Sequence, residues 1–375
     1  MKKTILLSLV TLILLTAIKT KISAQVSIDK NWNTTPYFID NFTPPRSNWD
    51  SRWFDYPNDT KWMAHLITGV THSNDEHQVY QRLNSIFNAS DSTMRLRADY
   101  TSGPMQCYNY EIPSGYSCDT SVHQLYYYSG AITILDTLKY GYFETRCKLP
   151  TKRGAFPAFW LYDYSDGEYR EIDIFEYSWS LFGKYNCYDS SRIFNGGLYY
   201  HHAVDLGVHY GDHGYIIPAN EPGLENWHKF AAEWTPKRVV WYFDNKPIGE
   251  YCGDSMPNRR MYVMLNYALD NYIMHNDPPT PIQSGFPDDM TIDYVRINKL
   301  KCNCNNDTVI QNNTQLAAFH YSVKKTITIG GYGYSINLSS TDKDVFRATD
   351  GITINGDFEV PLGAELELII HPCPN

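Results

Sequence analysis

The chain has 375 residues, of which 19% are charged and 15% aromatic, with 31 tyrosines and a formal net charge of −9. A balance this acidic excludes a protein built to neutralise nucleic-acid phosphates, and it gives no attraction to an anionic membrane. The low charged fraction, with 23 glycines and 20 prolines, excludes a coiled coil and favours strands over a low-complexity polymer.

From the N-terminus, Lys2 and Lys3 precede an apolar run, Ile5 to Ile18, and the small pair Ser23-Ala24 follows. Charged, apolar, small is the order of a secretory signal peptide. Residues 1–24 are therefore expected to be cleaved on export, leaving a secreted protein outside the cell or on its surface. No later stretch approaches 18 apolar residues, so no membrane insertion is expected. Eight cysteines in an exported chain permit disulfides. Cys107 and Cys118 share one turn-rich insertion and are the favoured pair, while Cys147 sits where a core residue belongs. Cys302-x-Cys304 is only half of a zinc site, because no second pair with ligand spacing follows.

Between residues 25 and 300, short runs of β-branched and aromatic residues are separated by Gly, Pro, Asn and Asp, the texture of strands and turns. Gly141 to Leu149 alternates, with Phe143, Thr145, Cys147 and Leu149 on one side and Glu144, Arg146 and Lys148 on the other. This predicts a half-buried strand. Val239 to Phe243, then Asp244-Asn245, then Lys246 to Tyr251 predicts a hairpin whose turn residues tolerate left-handed backbone angles. Further strands are expected from Lys229 to Trp234, Met261 to Leu269 and Thr291 to Ile297. Many short strands without a helical period predict an all-β fold, two antiparallel sheets stacked as a jelly-roll sandwich, over residues 25–300. Polar residues 301–308 read as a linker. Alternations at Thr326 to Gly330 and Glu365 to Ile370 predict a small C-terminal β module over residues 309–375.

Acid concentrates in Gly167-Glu-Tyr-Arg-Glu171-Ile-Asp173-Ile-Phe-Glu176-Tyr177. Residues two apart on a strand share a face, so Tyr169, Glu171 and Asp173 point together, whereas Glu176 has the wrong parity. One extra residue near Ile174-Phe175, a β-bulge, would return Glu176 to the acid face. Glycoside hydrolysis with retention wants this arrangement. An ionised carboxylate serves as nucleophile and a protonated one as acid and then base, about 5 to 5.5 Å away. A third acid between them keeps at least one proton in the site near neutral pH. Solvent-facing strand charges are the bland alternative, yet like charges at adjacent same-face positions destabilise a strand, which favours a functional reason.

Phe156-Pro-Ala-Phe-Trp160-Leu-Tyr162-Asp-Tyr164 precedes this segment, and Asp166-Gly167 signals a two-residue turn. Paired positions then sum to 333, which sets Tyr162 opposite Glu171 and Trp160 opposite Asp173. An aromatic shelf is thus expected beside the acids, suited to the apolar C–H faces of sugar rings. Phe159 and Leu161 face the other way, into the expected core.

At this point the residues resemble glycoside hydrolase family 16, in its bulged, laminarinase-like subgroup. Glu171-Ile-Asp173-Ile-Phe-Glu176 matches the family signature Glu-x-Asp-x-x-Glu. The segments Tyr140 to Pro150, Phe156 to Trp160, Trp227 to Pro236 and Met290 to Ile297 follow in the family's order, and Met264-Leu-Asn-Tyr-Ala268 resembles its Leu-Asn-x-Ala strand. The resemblance implies a concave, concanavalin-like jelly roll with Glu171 as nucleophile, Glu176 as general acid/base and Asp173 tuning their protonation. Asn74-Asp-Glu-His-Gln-Val-Tyr80 resembles a motif of the β-1,3-glucanase branch. It tilts the expected polysaccharide toward a β-1,3- or β-1,3-1,4-glucan, with agar- or carrageenan-type galactans and transglycosylation still open.

Two departures stand out: Arg170 replaces a glycine common before the nucleophile, and Tyr169 stands where some relatives carry an aromatic subsite residue. Trp160, Tyr162, Tyr169, Asn266 and His228 are the candidate substrate contacts. No cofactor is required by this chemistry. Asp293 resembles a position that often helps bind structural calcium in the family. His201, His202, His209, His213 and His228 lack the spacing of a zinc helix, and no Gly-x-Ser-x-Gly elbow is present for serine chemistry. A non-catalytic carbohydrate-binding sandwich is the competing class, but binding alone has no need of two glutamates flanking an aspartate.

Overall fold

The computed structural model describes residues 29–44, 61–67, 76–105, 125–179, 181, 190–201, 208–253, 256–275 and 280–374. The expected leader, Cys107, Cys118 and His202 lie outside the described residues. Two sheets form the body, with ten and seven strands among the described residues. Pairing within them is antiparallel apart from Gln78–Tyr80 against Leu125–Ser129, which is parallel. This is the expected jelly-roll sandwich.

The layer between the sheets holds the core. Phe159, Leu161, Ile172 and Phe175 reach in from the seven-stranded sheet and meet Phe143, Phe230 and Trp241 from the ten-stranded one. The rings of Phe175 and Phe230 lie 4.5 Å apart. Burying each such side chain contributes roughly 1.5–3 kcal/mol. Cys147 is fully buried among them. The hairpin of Arg238–Phe243 and Lys246–Cys252 turns through Asp244 and Asn245 at φ 46° and 66°, the left-handed pair their side chains tolerate.

Strand Gly141–Lys148 is more enclosed than its alternation predicts. Glu144 is fully buried because its carboxylate accepts from Tyr142 and Tyr294 hydroxyls at 3.1 and 2.7 Å and from Arg296 at 2.5 Å. Trp32 from the N-terminal segment packs over the same face. A charged residue on the outer side of a strand marks solvent only when nothing docks there, and here something does.

The stretch expected to be a linker is a strand. Cys302–Ile310 is the first of four strands, followed by Val323–Asn337, Lys343–Glu359 and Glu365–Ile370, all parallel. Its polar composition reflects an edge position rather than flexibility. Ile327, Ile329, Ile336 and Phe346 form a separate small core. A disulfide joins Cys304 on the first strand to Cys373 just past the last, closing a 69-residue separation. On loop-entropy grounds such a closure stabilises by roughly 4 kcal/mol. The sheet is fixed to the sandwich by charge: buried Arg347 reaches Asp29 at 2.6 Å and Glu233 at 2.8 Å, Arg238 bridges Glu233 and Glu367, and Lys30 meets Asp344 at 2.6 Å. Among the described residues no helix is long and apolar enough to cross a membrane.

Candidate active site

The acidic strand Tyr169–Glu176 lies inside the seven-stranded sheet, between Ala155–Asp163 and Ile193–His201. Its register places Glu171 opposite Tyr162 and Asp173 opposite Trp160. The turn itself differs from the expected one. The Gly167 N–H donates to the Tyr164 carbonyl, so Ser165 and Asp166 occupy its centre and Gly167, at φ 83°, follows. Register is unchanged because the strands, not the loop length, carry it.

After Asp173 the register slips by one residue: Phe175 pairs with Phe159, and Glu176 pairs with Ala158 on one side and Asn195 on the other. This is the β-bulge that parity demands. Ile174 and Phe175 both join the core, and Glu176 returns to the face of Glu171 and Asp173. Two consecutive apolar residues make the bulge favourable, since each buries a side chain that regular alternation would have divided between the faces.

A bulge leaves a backbone carbonyl out of the ladder, and the opposite sheet supplies its donor. The Trp241 indole N–H crosses the core to the carbonyl of Asp173 at 2.7 Å. Gly196 on the neighbouring strand makes room for the indole, because a Cβ there would sit 2.6 Å from the indole Cδ1. Left unsatisfied, a buried carbonyl costs about 1–3 kcal/mol.

Beside the acids, Trp160 and Tyr162 meet edge to face with centroids 5.7 Å apart, and Tyr162 meets Tyr169 in the same way at 5.4 Å. The Trp160 indole donates to Asn266 Oδ1 at 2.7 Å, and Asn266 Nδ2 donates to the Tyr80 hydroxyl at 2.8 Å. Tyr80 in turn donates to Glu76, whose carboxylate also accepts from Gln78 Nε2 at 2.5 Å. Glu76, Trp160, Glu171, Glu176 and Asn266 line one cleft, with Leu66, Phe156 and Ala158 as its apolar wall. That mixture of carboxylates, an amide and an aromatic ring suits the hydroxyls and apolar face of a sugar.

Burial pushes the Glu171 carboxyl up to about 7, against hydrogen bonds from Tyr169 and Asp173 that favour its charged form. The Tyr169 phenol is pushed far above its ordinary value by burial and then by the charge of Glu171, so it remains a donor.

The sequence profile described as Glycosyl hydrolases family 16 matches residues 73–295, more than half of the chain. The chain belongs to glycosyl hydrolase family 16. Among curated relatives it is similar to the endo-1,3-1,4-beta-glycanase EglC of Rhizobium meliloti (strain 1021). Identity is 29% over 173 residues, covering 45% of this chain and 33% of that protein. It is also similar to the glucan endo-1,3-beta-glucosidase A1 of Niallia circulans, 28% identical over 193 residues, covering 46% of this chain and 26% of that one. The chain thus spans about a third or less of these relatives' length. Among solved structures, one from work on endo-acting O-glycanases of human gut bacteria superposes with a TM-score of 0.52 at 19% identity. It covers 72% of this chain and 92% of its own. The laminarinase catalytic domain of Thermotoga maritima MSB8 gives 0.48 at 22%, covering 72% and 98%.

Within this family-16 domain the expected contacts divide. Trp160, Tyr162, Tyr169 and Asn266 gather on the acid face of the seven-stranded sheet. His228 does not. It sits on the ten-stranded sheet opposite Cys147, with Nδ1 at 2.8 Å from Asp244 and Nε2 at 3.0 Å from the Gly223 carbonyl, clamping two loops. Asp293 also departs from expectation. Arg146 occupies its carboxylate at 2.8 Å. Among the described residues no carboxylates gather at metal-ligand distance; the one such group is Cys302, Cys304 and Cys373, of which the last two are joined as a disulfide. A guanidinium already supplies the positive charge, so the site does not fit calcium. Tyr169 reaches the acid face, but its hydroxyl donates to Glu171 rather than pointing into open cleft. Glu76 was missing from the sequence-based set, although the segment Asn74 to Tyr80 pointed to it. Trp241 carried no signal at all, because its contact joins strands remote in sequence.

Proposed function

We propose that this family-16 chain is a secreted, retaining endo-β-glycanase that cleaves β-1,3- or β-1,3-1,4-glucan. The observation carrying the reading is the bulge that brings Glu171, Asp173 and Glu176 to one face beside the Trp160 and Tyr162 rings. In the first step the Glu171 carboxylate attacks the anomeric carbon while Glu176 protonates the departing glycosidic oxygen. A glycosyl ester and a shortened chain result. Glu176, now ionised, takes a proton from water; the water oxygen attacks the same carbon, and the ester bond's electrons return to Glu171. Asp173 hydrogen-bonds Glu171 and so favours the charged form of the nucleophile against the burial that opposes it. Trp160, fixed in orientation by Asn266, offers a ring for a sugar face. The glucan preference is supported by the curated relatives and by the segment Asn74 to Tyr80. Export is supported by the leader-like residues 1–24.

Incubation with laminarin, lichenan, xyloglucan, agar and carrageenan, with products sized and their anomers followed by NMR, tests this directly. Oligosaccharides of β configuration from laminarin or lichenan are the expected result. Release of the α anomer, or cleavage confined to galactans, would overturn it.

A further inference from the structure

An aromatic residue that merely lines a sugar subsite presents its ring and hydroxyl to the ligand. Tyr169 does something else. Its hydroxyl donates to Oε2 of Glu171, two residues along the same strand face. Its ring stands edge-on to Tyr162 at 75°, which fixes the angle from which the hydroxyl approaches. The turn before it is anchored on the opposite face by Arg170, whose side chain is only 3% exposed. Arg170 binds Asp166 at 2.7 Å, Asp163 at 3.2 Å and Glu168. The arginine that replaces the family's common glycine therefore anchors the loop end from which Tyr169 extends. Hydroxyl, ring and the turn leading into the strand are each fixed by a different partner.

We propose that Tyr169 is a positioning residue for the nucleophile, holding Glu171 through the oxygen that becomes the carbonyl of the glycosyl ester and easing its departure in the second step. This rests on the retaining mechanism proposed above. In that step the bond between the anomeric carbon and the Glu171 oxygen breaks as water's oxygen bonds to the carbon. Its electron pair goes to Glu171, and the water's proton goes to Glu176. A phenol donating to the leaving carboxylate stabilises the charge that develops there. In the first step the same donation restrains a charge that is being lost, so it opposes attack. Tyr169 thus favours resolution of the intermediate over its formation.

Tyr169→Phe tests this with an aryl β-glucoside oligomer bearing a good leaving group, which makes the first step independent of Glu176. The expected kcat falls by about 10- to 100-fold, KM falls with it, and kcat/KM changes by less than about threefold. A burst of aryl alcohol precedes the steady state, and intact-protein mass spectrometry shows accumulated glycosyl-enzyme. The acidic limb of kcat/KM also moves to higher pH, because one donor to the charged form is gone. The ionisable groups facing Glu171 among the described side chains are Tyr169 and Asp173 on its own strand, Tyr162 across the hairpin, and Glu176 and Glu76 in the cleft. All but Tyr169 are unchanged in the variant.

A second variant carries 3-fluorotyrosine at position 169, a stronger donor, and should move the limb to lower pH. A residue that only supports the fold would not give opposite shifts in two well-folded variants. Unchanged pH limbs with no accumulated ester overturn the proposal, as does an equal loss of kcat and kcat/KM. If the wild-type enzyme hydrolyses glucan but releases the inverted anomer, the retaining mechanism itself fails and takes this inference with it.

Discussion

Two of the places that bury charge among the described residues treat it in opposite ways. Where the C-terminal sheet meets the sandwich, Arg347 is fully buried between Asp29 and Glu233, so each charge meets its opposite. Those carboxylates hold the Arg347 guanidinium charged despite a burial that opposes it. In the cleft, Glu171 has hydrogen-bond partners instead, the phenol of Tyr169 and the carboxyl of Asp173, and burial raises its pKa to about 7 against them. Opposite charges lock a group into one protonation state; neutral donors on a buried acid leave it free to change state near neutral pH. The first arrangement suits an interface and the second suits a reaction.

The contrast leads first to Glu171→Gln, for which we expect turnover on polymer to fall by roughly 10⁴-fold or more, with glucan binding retained in a pull-down. Stability should move the other way. A carboxyl whose folded pKa lies above its unfolded value of 4.5 weakens the fold increasingly as pH rises from 4.5 toward 7. The glutamine variant escapes that cost, so its unfolding midpoint should exceed that of the wild type at pH 7.5, and the gap should close toward pH 4.5. Arg347→Met at the interface should do the reverse. It strips the buried Asp29 of its guanidinium and leaves Glu233 with Arg238 alone, costing about 3–5 kcal/mol in denaturant unfolding while leaving kcat of the folded fraction unchanged. A kcat loss comparable to that in the cleft variant would show that the two regions are not separate.

Trp241→Phe lies between these, since it removes the donor to the bulge carbonyl while keeping an aromatic in the core. We expect a loss of about 1–3 kcal/mol in stability. Activity on polymer should fall by about 10- to 100-fold, because an acid displaced by an ångström loses its alignment. Aryl glycosides that need little acid help should suffer less. Equal losses on both substrates would argue against an effect through Glu176. The smallest effect is expected at His228. Burial opposes its protonation, yet the hydrogen bond and charge of Asp244 prevail and raise its pKa. Stability from this pair should be fully present below pH 6.5 and lost as pH rises through the folded pKa. In His228→Asn that part of the pH dependence of the melting temperature should disappear.

The sequence made much of the site legible because strand arithmetic is local. Parity alone demanded a bulge between Asp173 and Glu176, and one turn sufficed to place Tyr162 and Trp160 opposite the acids. What escaped notice depends on contacts between remote segments. His228 and Asp293 lie on the ten-stranded sheet, and their partners Asp244 and Arg146 are known only once the strands are assembled. Glu144 read as a solvent-facing residue until Trp32 and the neighbouring Tyr294 and Arg296 covered it. Residues 301–308 read as a linker because an edge strand with one neighbour, here Cys302–Ile310, can be almost wholly polar. Tyr169 was placed on the right face, yet periodicity does not say what a hydroxyl will bond.

The whole account rests on Glu176 sharing a face with Glu171 through the bulge. A crystal structure of the enzyme trapped with a 2-deoxy-2-fluoro-β-glucosyl oligosaccharide would test it most directly. The account predicts an ester on Glu171, the Glu176 carboxyl on the leaving-group side of the same carbon, and the Asp173 carbonyl on the Trp241 indole. Regular pairing through positions 174 and 175, with Glu176 turned into the core or the ester on another residue, would contradict it.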